Sequence, residues 1–461
     1  MNGNPSRELY DPHHDPLTDA GPGTNRDYAP TYWVATGGAP PPDDGPVRAD
    51  CDADVVVIGS GYTGLSCAIH LAREQGLSPV VLEANAVAWG CSTRNGGQAQ
   101  ISAGRLKRSQ WIARWGLETA RAMHAEVAEA FELFRAMLAE DGFVCEPQDG
   151  GHLHIAHRER ARRGLETEAR VLREQFGYPA RVLGAAELRA EHVDDQEAVG
   201  AMYEPDGVGV HAAKLAFGYL KLARRLGARV HPASPVLGWR TQGGRHYLAT
   251  PGGTVRARAV AIATGGYTHP SLSPLTRHRL FPVLSNSIVT RPLTAAETEH
   301  CGFRSRAFYT DTRTLRHYYR RLPDGRVQIG SRSSITGADA TEPLHLERLR
   351  AALGRKFPSL AGIKLDYSWW GWVDVSHDLM PRIFQPDAGQ AIYYALAYGG
   401  NGVMYSAQAG RRLAQLVAGK GAAPRLPIFA SPLPGKGVLT PFRRLGQRVL
   451  YAWHFARDEV P

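Results

Sequence analysis

The sequence predicts an α/β protein in which an open parallel sheet is interrupted by an inserted, strand-rich α+β domain. Three observations predict it. The run "DVVVIG" from residue 54, the helical stretch 66–75 and the second strand "SPVVLE" form a β-turn-α-β unit of about 30 residues. Two distant pieces belong to the same kind of layer: "VRARAVAIATGGY" is a buried strand entering a glycine turn, and "GGNGVMYSAQAGRRLAQLVAG" is a glycine loop entering a helix. Between them, 303–335 and 363–395 read mainly as strands, with a helix at 343–356.

In chain order, 1–50 is a polar lead-in rich in Pro, Asp and Gly, with Tyr32 and Trp33 placed to anchor it. Residues 51–145, 205–285 and 378–430 are expected to assemble the parallel α/β domain, and 146–204 and 286–377 the inserted one. In 111–140 the helical period puts Trp111, Trp115, Leu117, Phe131, Phe134 and Leu138 on a core face. A strand from "GGHLHIAH", a charged helix at 157–175, a helix at 212–226 and an extended segment at 228–231 follow. Residues 431–461 form a basic amphipathic tail: Phe442, Leu445, Val449, Ala452 and Trp453 make a stripe expected to pack on the body of the protein, with a membrane or partner as the alternative. No internal repeat is present.

A chain of 461 residues is long enough for two joined domains. Its net charge of +10 favours anions in general. No zinc-finger spacing, RNP-like aromatic segment or Lys/Arg block accompanies that charge, so nucleic acid is not the expected partner. Five cysteines in no CxxC pattern argue against a disulfide framework and for a reducing compartment. His152 and His154 share one strand face, yet a structural role is expected there rather than a metal. No secretory signal and no run of about 18 apolar residues is visible, so the cytoplasm is the expected location and no spanning segment is expected.

The turn Gly59-Ser60-Gly61-Tyr62-Thr63-Gly64 carries the chemistry. Gly59 permits the tight turn, Gly61 lets the backbone approach a pyrophosphate, and Gly64 lets helix lie against strand, with Tyr62 and Thr63 opening the helix. The helix N-terminus then faces the phosphates. Glu83, followed by Ala84, ends the second strand, where its carboxylate would accept from a ribose and repel a 2′-phosphate. NAD and FAD share this turn. Ser92, Thr93, Arg94, Asn95, Gly96, Gly97 and Gln98 add polar surface suited to a longer cofactor, as do the "ATGGY" turn with Thr264 and Gly265 and the "YGGNGV" loop. Only one complete fingerprint is present, so electrons are not expected to arrive through a second dinucleotide module.

Together with "YWVATGGAPPPDDGPVRADCDADVVVIGSGYTGLSCAIHLA", "LEANAVAWGCSTRNGGQ", "IVTRPL", "HYYRRLPDGRVQIGSR", "WGWVDVSHDLMPRI" and "YALAYGGNGV", these motifs resemble the D-amino-acid oxidase superfamily of flavoenzymes, in its gamma-glutamylputrescine oxidase-like branch. They span nearly the whole chain in family order. The resemblance implies FAD on a Rossmann-like domain, with Gly59, Gly61 and Gly64 at the pyrophosphate and Glu83 at the ribose. It also implies Val236 at the adenine, Ser92 to Gln98 at the phosphates and flavin edge, and Gly400, Asn401, Gly402 and Val403 at the pyrimidine. Cys301 lacks a flavin-linking context.

The implied reaction is oxidation of the C–N bond of an aliphatic or gamma-glutamylated amine. Hydride passes to flavin N5, the resulting imine hydrolyses to an aldehyde, and dioxygen or another acceptor takes the electrons. The amine must be neutral to react, and a dry aromatic pocket lowers its pKa. Candidates for that pocket are Tyr318, Trp370 and Trp372, with Trp369 on the opposite strand face, and His317 and His377 as proton carriers. Tyr319 is a further aromatic on the same strand pair. In amino-acid-oxidising relatives an arginine grips the α-carboxylate at the position that is Val373 here, which favours amines. Arg291 in "TRPL", or another arginine, is the alternative acid-binding group, with amino or imino acids as the corresponding substrates. A non-catalytic flavin-binding partner protein is the third reading.

Overall fold

The computed structural model describes residues 8–419 except 274, 277 and 278, followed by 425–430, 433–435, 437 and 442–459. Parts of the lead-in and the tail therefore lie outside the described residues. Two eight-stranded sheets organise the chain. The first runs in the order Gly238–Gln242, Arg245–Thr250, Gly253–Ile262, Cys51–Ile58, Pro79–Leu82, Arg229–His231. Ile392–Leu396 adds in parallel to Gly253–Ile262, and Arg382–Phe384 pairs antiparallel with it. Cys51–Ile58 is parallel to both of its neighbours, and Val56 and Val57 are fully buried. An uninterrupted Val/Ile run suits a strand covered on both faces.

The second sheet is ordered Leu365–Val373, Val283–Thr290, Val327–Ser331, Tyr318–Arg321, Phe308–Asp311, His152–Ala156, Gly200–Glu204, Arg181–Gly184. All its pairs are antiparallel except Phe308–Asp311 with His152–Ala156. Such a sheet, built from two distant parts of the chain, is the inserted α+β domain. A three-stranded sheet of Gln98–Gln100, Gly207–Gly209 and Gln148–Asp149 bridges the two.

Helix Tyr62–Gln75 packs against helix Gly402–Val417, which brings the two ends of the α/β layer together. The long helix Arg108–Leu138 carries Trp111, Phe131 and Phe134 buried as the period predicts, and its one irregular residue is Gly116. Helix Pro343–Lys356 has the bounds read from sequence. The described residues contain no helix long and apolar enough to cross a membrane.

The tail differs from expectation. Helix Arg443–Glu459 turns its apolar stripe outward: Phe442, Leu445, Val449 and Trp453 are all more than half exposed. Its polar side is the buried one. Arg444 Nη2 donates to both carboxylate oxygens of Asp15, at 2.9 and 3.0 Å, and the guanidinium lies over the Trp372 ring, while Asp458 meets Arg158. Apolar periodicity identifies a face; ion pairs with Asp15 of the lead-in and Arg158 of the body decide which face docks.

Candidate active site

One continuous cavity of about 260 Å³ runs from the glycine turn after Cys51–Ile58 to the inserted sheet. At one end stand Glu83, Ala84 and Val236; along it lie the start of helix Tyr62–Gln75 and the 400–403 loop; at the other end stand Tyr318, Thr310 and Arg316. Every residue expected at the cofactor lines this cavity except Gly64, Thr93 and Gly97. Those three shape the wall from behind. A Cβ on Gly64 would stand 1.8 Å from the Gly59 carbonyl oxygen, Thr93 Oγ1 donates to the Ala88 carbonyl, and Gly97 N donates to Asn95 Oδ1.

The turn is built as its glycines require. Gly59 adopts φ +101°, and a Cβ there would meet the Ala263 carbonyl oxygen at 2.7 Å. Gly61 caps the helix without a side chain, and Tyr62 N donates to Ser92 Oγ. Glu83 accepts from Ser60 N at 3.1 Å, Ser60 Oγ at 2.7 Å and Asn85 N at 3.1 Å. Burial pushes its pKa up against those hydrogen bonds. A hydroxyl donor at this carboxylate meets a pre-positioned acceptor.

Arg94 lies 4.2 Å over the Trp89 ring and 5.2 Å from Tyr267, and donates from Nε to the Trp89 carbonyl. Its Nη2 is buried without a partner among the described residues. An orphaned donor in the wall, a helix N-terminus and a buried acceptor at the far end fit a dinucleotide with a polar ring system.

Of the five residues expected at the reacting carbon, Tyr318 alone lines the cavity. Its Oη lies 2.7 Å from Ser287 Oγ and 3.1 Å from Ser285 Oγ. The ring fits between two glycines: a Cβ on Gly330 would come within 2.3 Å of it, and one on Gly96 within 3.0 Å.

Trp370 and Trp372 share a strand face, but that face meets the lead-in; their indole nitrogens donate to the carbonyls of Pro12 and His14. The cavity is on the other face, walled by Gly371 and Val373, with Trp369 buried below and donating to the Arg94 carbonyl. His317 is also away from the wall. Its Nδ1 is 3.0 Å from Asp311 Oδ2, in a buried network with Arg313 and Lys356. His377 packs beside Phe281. Arg291 lies outside as well, paired bidentately with Glu297 at 2.6 and 2.8 Å.

Several lining residues escaped the sequence reading: Thr310, Arg316, Arg332 and Asp374. Arg332 ends the motif "HYYRRLPDGRVQIGSR", and Arg316 precedes it by one residue. The period of two from Tyr318 was the available signal.

Asp374 is buried; its carboxylate accepts from Ala397 N, and burial raises its pKa to about 6. Its carboxyl thus keeps its proton in the native state between about pH 4 and 6, where the unfolded chain has lost it, so this group makes stability fall as pH rises through that window. The urea midpoint of the wild type is expected to fall relative to Asp374→Asn from about pH 4 to 6 and to run parallel above it. The flavin spectrum should show a step near pH 6 that the variant lacks.

Beside the cavity, His152, His154 and Glu204 bring their ligand atoms within 4.8 Å of one another. Glu204 is 2.6 Å from His154 Nε2, and His152 Nε2 is 2.7 Å from Thr310 Oγ1. Burial alone would raise the Glu204 pKa, but its hydrogen bonds with the histidines hold it well below the usual range.

A nucleotide sheet with a parallel centre, a strand-rich insert and a cavity joining them define a dinucleotide-binding class of protein. The family model for FAD dependent oxidoreductases (DAO) matches residues 54–416, and the chain belongs to that family. It is 31% identical to gamma-glutamylputrescine oxidoreductase of Escherichia coli (strain K12) over 94% of this chain and 99% of that protein. It is 25% identical to glycine oxidase of Bacillus licheniformis over 79% of this chain and 93% of that protein. Among solved structures, glycine oxidase from Geobacillus kaustophilus superposes with a TM-score of 0.70 at 21% identity, covering 83% of this chain and 100% of that one. L-proline dehydrogenase from P. horikoshii superposes at 0.66 and 19%, covering 83% and 96%. The protein is an FAD-dependent oxidoreductase acting on amines or amino acids.

Proposed function

We propose that this enzyme oxidises the C–N bond of an aliphatic amine, with a gamma-glutamylated amine as the preferred form. The observation that carries this reading is the continuous cavity from Glu83 to Tyr318 with Val373 at the wall position where the resemblance puts the carboxylate-gripping arginine of amino-acid oxidases. The 31% identical relative from Escherichia coli supports the gamma-glutamyl group. Bound FAD supplies the two-electron acceptor.

The chain's own residues do the remainder. Tyr318, fixed by Ser285 and Ser287, provides an aromatic wall and a hydroxyl at the inserted sheet. Such a wall with little water favours the neutral amine, the form whose lone pair assists loss of the adjacent C–H. The amine gives up two electrons and two protons to become an imine, and water converts the imine to an aldehyde and the released amine or ammonia. Dioxygen or another carrier takes the electrons onward. An amino-acid reading through Arg291 has no support, because that side chain is occupied by Glu297 away from the cavity.

The test is turnover of gamma-glutamylated, free and N-methylated amines, with the product identified by mass spectrometry. An aldehyde from the gamma-glutamylated amine is expected; turnover of α-amino acids alone would replace this reading with the amino-acid one.

A further inference from the structure

The inserted sheet sends two arginines, Arg316 and Arg332, into the wall of the cavity. Tyr318 is paired with Gly330 across the hairpin. Arg316 and Arg332 lie two residues beyond that last pair, one on each arm, and Ser331 Oγ donates to the Leu315 carbonyl across the gap. Cations withdrawn from water need a counter-charge.

Neither arginine has one in contact among the described residues. Nε of Arg316 is buried without a partner, and Arg332 donates to the Gly399 carbonyl at 3.3 Å. Asp311 acts on Arg316 from a distance but is engaged by Arg313, His317 and Lys356. Burial lowers the pKa of both guanidinium groups.

We propose that Arg316 and Arg332 form a clamp for a carboxylate on the substrate, remote from the C–N bond being oxidised. The clamp makes the enzyme selective for acylated, carboxylate-bearing amines over free polyamines. Two guanidiniums can share one carboxylate through charge-assisted hydrogen bonds, and the same pair repels a substrate that carries a second ammonium instead. The clamp deepens the proposed amine-oxidase reading and rests on it for the identity of the other end of the substrate.

Three probes test it: gamma-glutamylputrescine, the same molecule with its carboxylate converted to a carboxamide, and putrescine. In the wild type the carboxylate form is expected to have a KM at least about tenfold below the carboxamide. Arg316→Gln and Arg332→Gln should raise KM for the carboxylate by at least about tenfold and leave the carboxamide nearly unchanged. Arg316→Lys should recover part of the difference. Flavin content and melting temperature of each variant report folding. Calorimetry with glutarate, which cannot react, should show binding to the wild-type holoenzyme that both glutamine variants lose.

Equal KM for carboxylate and carboxamide in the wild type, or equal losses for both in the variants, would overturn the clamp while leaving amine oxidation standing. Arginine-dependent glutarate binding by a protein that oxidises none of the three probes would support the clamp and refute the amine reading.

Discussion

Gly64→Ala is expected to give protein that does not retain flavin and melts well below the wild type. The added Cβ would stand 1.8 Å from the Gly59 carbonyl oxygen and 3.4 Å from Val57 Cγ1. Backbone cannot yield as a flexible side chain does, so helix Tyr62–Gln75 must lift from strand Cys51–Ile58. Overpacking of this kind costs about 3 kcal/mol, and here it also displaces the N–H groups of the pyrophosphate turn. Gly76→Ala is the control. That glycine caps the other end of the same helix at φ +63° with open space around its Cβ position, so it should cost about 1 kcal/mol and keep its flavin. Absorption of the purified variants and thermal melting read both effects. Yellow Gly64→Ala protein with wild-type stability would remove the close-approach argument.

Lys356→Met is expected to cost about 3–5 kcal/mol, the loss that follows when one partner of a buried ion cluster is removed. Lys356 Nζ is fully buried, 3.2 Å from Asp195, 3.2 Å from Glu197 and 3.5 Å from Asp311, with the Tyr319 ring 5.2 Å away. The substitution leaves these carboxylates without their shared cation. Burial would raise the pKa of Asp311, but Lys356 and His317 hold it well below the ordinary value; Glu197, raised by burial and lowered by Lys356 and Arg313, lies at about 2. Depressed carboxylates contribute stability that is present above their unfolded pKa of about 4 and lost as pH falls through the folded one. Wild-type stability should therefore decline on acidification below about pH 4, and Lys356→Met should flatten that decline. Urea unfolding across pH measures both. Because Asp311 also holds His317 Nδ1 and Arg313, the variant should disturb the loop that presents Arg316.

The β-turn-α-β unit was legible because its determinants are local: a Val/Ile run, glycines at fixed offsets and an acidic residue ending the next strand. The faces of Leu365–Val373 were legible too, since alternation separates Trp369 from Trp370 and Trp372. Which face meets the cavity was not legible, because the lead-in settles it by presenting the Pro12 and His14 carbonyls to the two indoles. That contact spans more than 350 residues of chain and leaves no periodic trace. His317 misled for a related reason: its partner Asp311 is close in sequence, but Lys356, which completes the network, comes from a separate helix.

The arginine pair lay nearer to reach. Leu322–Arg326 forms a tight hairpin turn, with Leu322 N donating to the Arg326 carbonyl, and counting outward from Asp324 sets 318 opposite 330, with Arg316 and Arg332 each two residues further out. The turn chemistry of "LPDGR" supplies that centre from sequence alone.

The most direct test of the account is the absorption spectrum of the purified protein before and after anaerobic addition of a mixed amine library. The cavity from Glu83 to Tyr318 predicts an oxidised flavin spectrum that bleaches on adding the library, with an aldehyde recovered from the amine consumed. A protein that binds FAD but stays oxidised with every amine, while amino acids bleach it, would contradict the amine chemistry assigned to this site.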